Sequence, residues 1–224
     1  MGEEKYKKVL TIVLVIIIVA IVGLLGYFAY DYINAFITSK NASEFVDDYE
    51  KDIPLTVVKN NENDQEGRNS AEGEENNSET GTYSRNRGIS TYPGSSLSVL
   101  GTISIPKTNC KYAIFQEQTQ TALNRGVSML YGVGLNQQGN TVIIGHNYRN
   151  GQFFSNNKRL EEGDKIYITD YNGTKLSYTI YEIFRATPED ASFYTRDTEG
   201  NIEITLSTCT DDNKERLIIL ARAD

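Results

Sequence analysis

Residues Val9 to Tyr30 read VLTIVLVIIIVAIVGLLGYFAY, 22 positions without a charge. A helical run of about 20 apolar residues matches the ~30 Å hydrocarbon core of a bilayer. A helix buried in a soluble core carries a polar stripe; here only Thr11 interrupts the run. Lys5, Lys7 and Lys8 precede it, and Asp31 is the first charge after it. Positive charge stays on the cytoplasmic side, which predicts a cytoplasmic N-terminus and an extracellular remainder. A cleaved signal peptide has an apolar region of about 7–15 residues and a small-residue cleavage site. This run is longer, and its exit, GYFAYDY, offers no such site. The expectation is a single-pass signal anchor over 9–30, behind a short cytoplasmic segment, 1–8.

Beyond the anchor, residues 31–58 suit an amphipathic juxtamembrane helix with Phe36, Phe45 and Val46 as apolar contacts. From Lys59 to Ser96 the chain is rich in Asn, Glu, Gly and Ser and nearly free of aliphatic side chains. Such a segment buries too little surface to offset its ordering entropy, and it reads as a flexible acidic linker. Charge is distributed accordingly. Residues 41–95 hold five basic side chains against twelve acidic ones, whereas 96–224 carry a net charge of only −2. The folded part therefore has no basic patch, and nucleic acid is a poor partner.

Residues 97–224 read as short strands between turns. LSVLGTISI (97–105) alternates and stops at Pro106, KYAIF begins at Lys111, and a helical turn is expected around Thr121 to Asn124. NTVIIGH (140–146) is an aliphatic strand. DKIYITD (164–170) leads through Asn172-Gly173 into TKLSYTIYEIF, a strong hairpin signal. IEITLSTC (202–209) and RLIILAR (216–222) form a second pair. About eight strands with few helices predict an all-β fold, an eight-stranded barrel preceded by the transmembrane helix and linker.

The chain has one histidine and two cysteines. His146 follows VIIG at the exit of one strand, Cys209 follows ITLST at the exit of another, and Arg216 opens the next. A thiol, an imidazole and a permanent cation suffice for acyl transfer: nucleophile, proton carrier and oxyanion partner. Each also has an ordinary reading. A lone cysteine after an apolar strand is commonly a small buried side chain. Cys110 and Cys209 are also open to disulfide pairing outside the cell. A histidine after glycine is commonly a turn residue, and a single strand arginine a solvated charge. Glu161-Glu162 and Asp211-Asp212 read as solvated turns rather than a calcium site, which needs about six converging oxygens. The spacing lacks any structural zinc motif, and no metal or cofactor is implied.

The local strings narrow these alternatives. TLSTC at Thr205 to Cys209, followed by Arg216 in ERLIILAR, resembles the TLxTC…R signature of sortases. GHN at Gly145 to Asn147 resembles the histidine motif of the same family. LGTISIPKTNCKYAIFQ resembles its opening strands, and LNRGVSMLYG followed by GNTVIIGH its middle. The resemblance spans nearly all of 97–224. It implies a membrane-anchored cysteine transpeptidase of Gram-positive bacteria that cleaves Leu-Pro-x-Thr-Gly-like sorting signals of secreted proteins between Thr and Gly. On this resemblance Cys209 forms the thioacyl intermediate, His146 is general acid and then base, and Arg216 holds the oxyanion or substrate carbonyl. Thr208 and Asn147 fall in the substrate-binding set. The acceptor is an amine of a peptidoglycan cross-bridge or lipid-linked precursor, or a pilin lysine. GHNYRNGQFF and LSTC…ARAD look most like class B. The short TPEDASFYTRDTEGN segment (187–201) looks more like class A or D, so protein anchoring is favoured over pilus polymerisation. The loops around Tyr148 to Asn157 and Pro188 to Tyr194 are expected to shape the groove. Two further readings remain: a non-catalytic cell-surface β-domain that binds a wall polymer or peptide, and an L,D-transpeptidase, whose nucleophile motif this chain lacks.

Overall fold

The computed structural model describes residues 2–51 and 89–224. The first element is a single helix, α1 (Gly2–Lys51), 50 residues long. Among the described residues it is the one helix long and apolar enough to cross a membrane, by length and composition. It continues well past Tyr30, through most of the expected juxtamembrane segment; residues 52–58 and the linker from 59 to 88 lie outside the described residues.

The rest is built from strands β1 (Ser90–Thr91), β2 (Ser98–Ile105), β3 (Cys110–Phe115), β4 (Val127–Gly132), β5 (Gly139–Ile144), β6 (Lys165–Asp170), β7 (Lys175–Ala186), β8 (Ile202–Cys209) and β9 (Arg216–Ala223). A short helix, α2 (Gln120–Leu123), starts where the Thr119 side chain accepts from the Ala122 N–H. Eight strands follow one another around the sheet as β2-β3-β4-β5-β8-β9-β7-β6, and β6 pairs back onto β2, closing the barrel. The closed form leaves no unpaired edge among these eight strands. Its interior is packed by β-branched and aromatic side chains suited to a pleated surface, among them Ile103, Ile114, Ile143, Ile168, Tyr178 and Ile204. The Asn172-Gly173 turn joins β6 to β7 with Gly173 at φ 90°, and the Asp170 carboxylate accepts from the Asn172 and Thr174 N–H groups.

Two details depart from the sequence reading. β4 carries no clear strand signal in the sequence, because Ser128 and Gly132 dilute its apolar alternation. The ordered domain also begins before Leu97, inside the segment 59–96 read as linker. Ser90 and Thr91 pair with Val99 and Ser98, and the Tyr92 ring lies against Phe45 and Phe115. One aromatic side chain gives this otherwise polar stretch apolar surface to bury.

The C-terminal part of α1 packs along the barrel wall. Ala42, Val46 and Tyr49 are buried, at the i, i+4, i+7 spacing of one helix face. Ser39 and Tyr112 share a hydroxyl hydrogen bond of 3.1 Å, and Lys111 pairs with Asp47. Glu50 accepts from Thr102 and Thr169 and pairs with Lys175 at 2.8 Å. Phe45 and Val46 make apolar contacts; Phe36 is exposed.

Candidate active site

Cys209 ends β8 and Arg216 begins β9, and the two are direct cross-strand partners. The turn between them is closed by the Thr210 N–H donating to the Glu215 carbonyl at 3.0 Å, with Asn213 in the left-handed region. Opposed residues on one face of an antiparallel pair lie within side-chain reach. Here the Arg216 Nη1 donates to the Cys209 Sγ at 2.7 Å. Cys209 is half-buried.

β5 and β8 run parallel and side by side, with Ile144 opposite Ser207. The Gly145 N–H donates to the Ser207 carbonyl, and the Thr208 hydroxyl donates to the Gly145 carbonyl at 2.8 Å. This stitching brings His146 to the same end of the barrel as Cys209. Glycine is needed before the histidine for a steric reason: a Cβ at position 145 would meet Val127 Cγ1 at 2.8 Å and Phe154 Cδ2 at 2.9 Å.

The His146 ring is held on two sides. Tyr148 stacks on it, with centroids 4.7 Å apart and planes 27° from parallel. The Gln120 Nε2 lies 3.0 Å from the His146 Nε2 and donates its other hydrogen to the Asn124 Oδ1 at 2.8 Å; the Tyr148 hydroxyl donates to that same oxygen. With the Gln120 amide as donor, His146 Nε2 is the acceptor and the ring proton sits on Nδ1. Burial pushes His146 below its ordinary pKa, because a desolvated imidazole favours its neutral form.

Two cavities of about 280 Å³ each flank Cys209. One contains His146 and Arg216 and is walled by Leu123, Leu130, Ile144, Pro188 and Tyr194. The other lies toward Asn147, Lys158, Asp211 and Asp212. Of the five residues proposed from sequence, Arg216 reaches the sulfur directly and His146 shares its cavity; among the described residues no hydrogen bond joins the ring to the thiol. Thr208 is buried, with its hydroxyl committed to Gly145 and its backbone in the β8–β9 ladder opposite Leu217. Asn147 turns its amide to the Cys209 carbonyl at 2.9 Å and to Asp211 at 3.0 Å, bracing the strand end. Lys158 and then Asn147, by hydrogen bonding, hold the Asp211 carboxyl below the usual range. The disulfide alternative falls: both cysteines are free. Cys110 is buried at the start of β3, and desolvation pushes its thiol well above the ordinary value.

The Pro188–Tyr194 loop does reach the histidine-side cavity, through both of its end residues. Gln120, Leu123 and Leu130 were not picked out. Leu123 and Leu130 fall in the string LNRGVSMLYG and Gln120 stands just before the expected helical turn, but neither stretch indicates a position beside a histidine 26 residues from Gln120.

Comparison with known proteins agrees with this geometry. The sequence model of the sortase domain family matches residues 103–224, and the chain belongs to that family. It is 31% identical over 124 residues to sortase A of Bacillus anthracis. That match covers 54% of this chain and 58% of the relative, so the chain spans less than two thirds of that protein's length. The structure of a lid mutant of sortase A from Corynebacterium diphtheriae superposes with a TM-score of 0.53 at 31% identity, covering 58% of this chain and 73% of that one. A Clostridium perfringens sortase C, solved with the C-terminal cell wall sorting motif, superposes with a TM-score of 0.51 at 26% identity, covering 56% and 70%.

Proposed function

We propose that this chain is a membrane-anchored sortase transpeptidase that joins secreted proteins bearing an LPxTG-like sorting signal to an amine of the cell wall. The observation that carries the reading is the contact of Arg216 with the Cys209 sulfur in a cavity that His146 shares. The apolar wall formed by Leu123, Leu130, Ile144 and Pro188 suits the Leu-Pro part of such a signal. The solved sorting-motif complex of the Clostridium perfringens relative supports the same substrate class.

In this mechanism neutral His146 takes the Cys209 thiol proton as the sulfur attacks the Thr carbonyl carbon, and the developing oxyanion is stabilised by the Arg216 guanidinium and the backbone near Thr208. Collapse of the tetrahedral intermediate breaks the Thr–Gly C–N bond. His146 delivers a proton to the leaving amine, which departs with a new amino terminus and leaves a thioester on Cys209. An incoming amine then loses a proton to His146, attacks the thioester and releases the sulfur. Peptidoglycan cross-bridge or its lipid-linked precursor supplies that amine, and protein anchoring is favoured over pilin polymerisation. α1 spans the membrane with its basic end inside, which puts the barrel outside.

The test is cleavage of a panel of labelled sorting-signal peptides, with and without an amine acceptor. Wild-type protein should release the Gly-containing fragment and form the amide product. Cys209→Ala, confirmed as folded by circular dichroism, should form neither. Cleavage by that variant would remove Cys209 as the nucleophile.

A further inference from the structure

Helix α1 is docked with a definite polarity. Its Ala35 carbonyl accepts from the Gln152 Nε2 at 3.4 Å, and Gln152 lies in the loop that follows His146. Four residues further along α1, Ser39 meets Tyr112. Glu50, at the far end, meets Thr102, Thr169 and Lys175. Lys175 opens β7 beside the Asn172-Gly173 turn, whereas β7 closes with Ala186 opposite Arg216. The start of the docked segment therefore lies at the His146–Cys209 end of the barrel, and its finish at the opposite end. At about 1.5 Å per residue, Ala35 stands only about 8 Å beyond Tyr30, and Glu50 about 30 Å beyond it.

The helix also stays apolar past Tyr30. Tyr32, Ile33, Phe36 and Ile37 are 74%, 54%, 62% and 48% exposed, none of them covered by the barrel. A contiguous exposed apolar strip marks an interaction surface, and this one continues the apolar run of the anchor. At the same height the loop after His146 exposes Tyr148 and Arg149. Tyrosine and arginine are side chains that settle among lipid headgroups, with the ring or stem inward and the polar tip in water.

We infer that the His146 end of the barrel, through Tyr148 to Asn150 and the 32–37 stretch of α1, rests on the phospholipid headgroup layer, so that the Cys209 site works at the bilayer surface. This rests on the reading that α1 spans the membrane. The docked part of α1, from Ala35 to Glu50, sets the height of the site above the bilayer.

The chain has no tryptophan, so single-tryptophan variants report position cleanly. The full chain is reconstituted in phosphatidylcholine–phosphatidylglycerol vesicles that carry a nitroxide quencher either at the headgroup or deep in the acyl chain. Ile18→Trp monitors the anchor, Tyr148→Trp and Asn150→Trp the site loop, and Asn172→Trp the opposite end. The expected result is loss of most emission from Ile18→Trp with the deep quencher. Both loop variants should lose emission with the headgroup quencher, and Asn172→Trp should keep its emission. If Asn172→Trp is quenched as strongly as the loop variants, or if neither loop variant is quenched while Ile18→Trp is, the orientation is wrong and the anchor stands. If Ile18→Trp escapes the deep quencher, the anchor reading fails and the orientation falls with it; peptide cleavage, assayed in parallel, shows whether the enzymatic reading survives.

Discussion

The Arg216 Nη1 lies 2.7 Å from the Cys209 sulfur because the two residues form the terminal rung of the β8–β9 ladder. A slip of one residue in that register would turn one of them to the other face of the sheet. The contact is thus a property of strand pairing before it is a property of two side chains. Arg216→Lys keeps the charge but loses the planar fork. Loss of one oxyanion donor costs about 10²–10³ in kcat, so a fall of that size with KM little changed is expected in steady-state peptide cleavage. Activity within a few-fold of wild type would show that a point charge suffices.

Gln120 and Tyr148 hold the His146 ring, one by hydrogen bond and one by stacking. Gln120→Ala should lower kcat more than it raises KM. A general acid–base group is worth about 10²–10⁴ in rate when correctly placed, and a ring freed from one of its two restraints should lose only part of that. Gln120→Glu, which accepts rather than donates toward Nε2, should favour the protonated ring and move the pH profile to higher pH. An unchanged profile in Gln120→Glu would remove Gln120 from the positioning of His146.

His146 has its own pH signature. Burial lowers its folded-state pKa, so the Cε1 proton in NMR should titrate with a midpoint below the ordinary value of about 6.5. The linked stability follows in sign. The contribution is present above the ordinary pKa and declines as pH falls, because the unfolded chain takes up its proton first. It is lost by the time pH has passed through the folded midpoint. His146→Gln should flatten this part of the stability–pH curve in chemical denaturation, and a slope that persists there would assign it to other groups.

Gly145 allows a close approach that any side chain would block. Gly145→Ala pushes a methyl group into Val127 and Phe154, and overpacking of this kind costs about 1–3 kcal/mol. Thr208→Val keeps the shape but leaves the Gly145 carbonyl without its donor, also about 1–3 kcal/mol for a buried group. Both should lower the denaturation midpoint and displace His146. Thr208→Ser, which keeps the hydroxyl, should recover most of the activity that Thr208→Val loses.

Glu203 lies inside the wall of β8 with its side chain 1% exposed, bridging Arg196 and Arg222. Arg196 also donates to the Phe193 carbonyl, and Asn140 donates to the carbonyls of Phe193 and Tyr194. This network pins the loop that brings Tyr194 to the histidine-side cavity. Removing one member of a buried ion pair costs about 3–5 kcal/mol. Glu203→Ala should show a loss of that order by urea titration, with KM for peptide rising more than kcat falls. A variant as stable as wild type would mean that solvent reaches the two arginines readily.

The strand pattern of the barrel was legible because β6, β7, β8 and β9 alternate strongly and the Asn172-Gly173 turn fixes one hairpin. Cys209, Arg216 and His146 were legible because strand-end motifs are local strings. What surrounds them was not. Gln120 reaches His146 across 26 residues and looks in sequence like any polar residue near a helix start. Thr208 falls in the expected substrate-binding set, yet its hydroxyl is used in stitching β8 to Gly145. Tyr92 sits in a polar stretch whose average composition argued for a linker, and only the Phe45 and Phe115 rings opposite it reverse that reading. Pairwise contacts between distant segments are the part of the fold that composition and periodicity do not encode.

The insertion of β9 between β8 and β7 has a consequence for biosynthesis. Gly145 and Thr208, joined by a hydrogen bond beside the site, are 63 residues apart in sequence, and β7 and β8 both keep open edges until β9 zips between them. Such non-local pairings form late, after their loop-closure entropy has been met. A chain emerging N-terminus first would therefore display its thiol on an incomplete sheet, without its guanidinium partner, until the last strand of the barrel arrives. On the proposed mechanism, assembly order keeps the Cys209 sulfur from acting before the enclosure around it is complete.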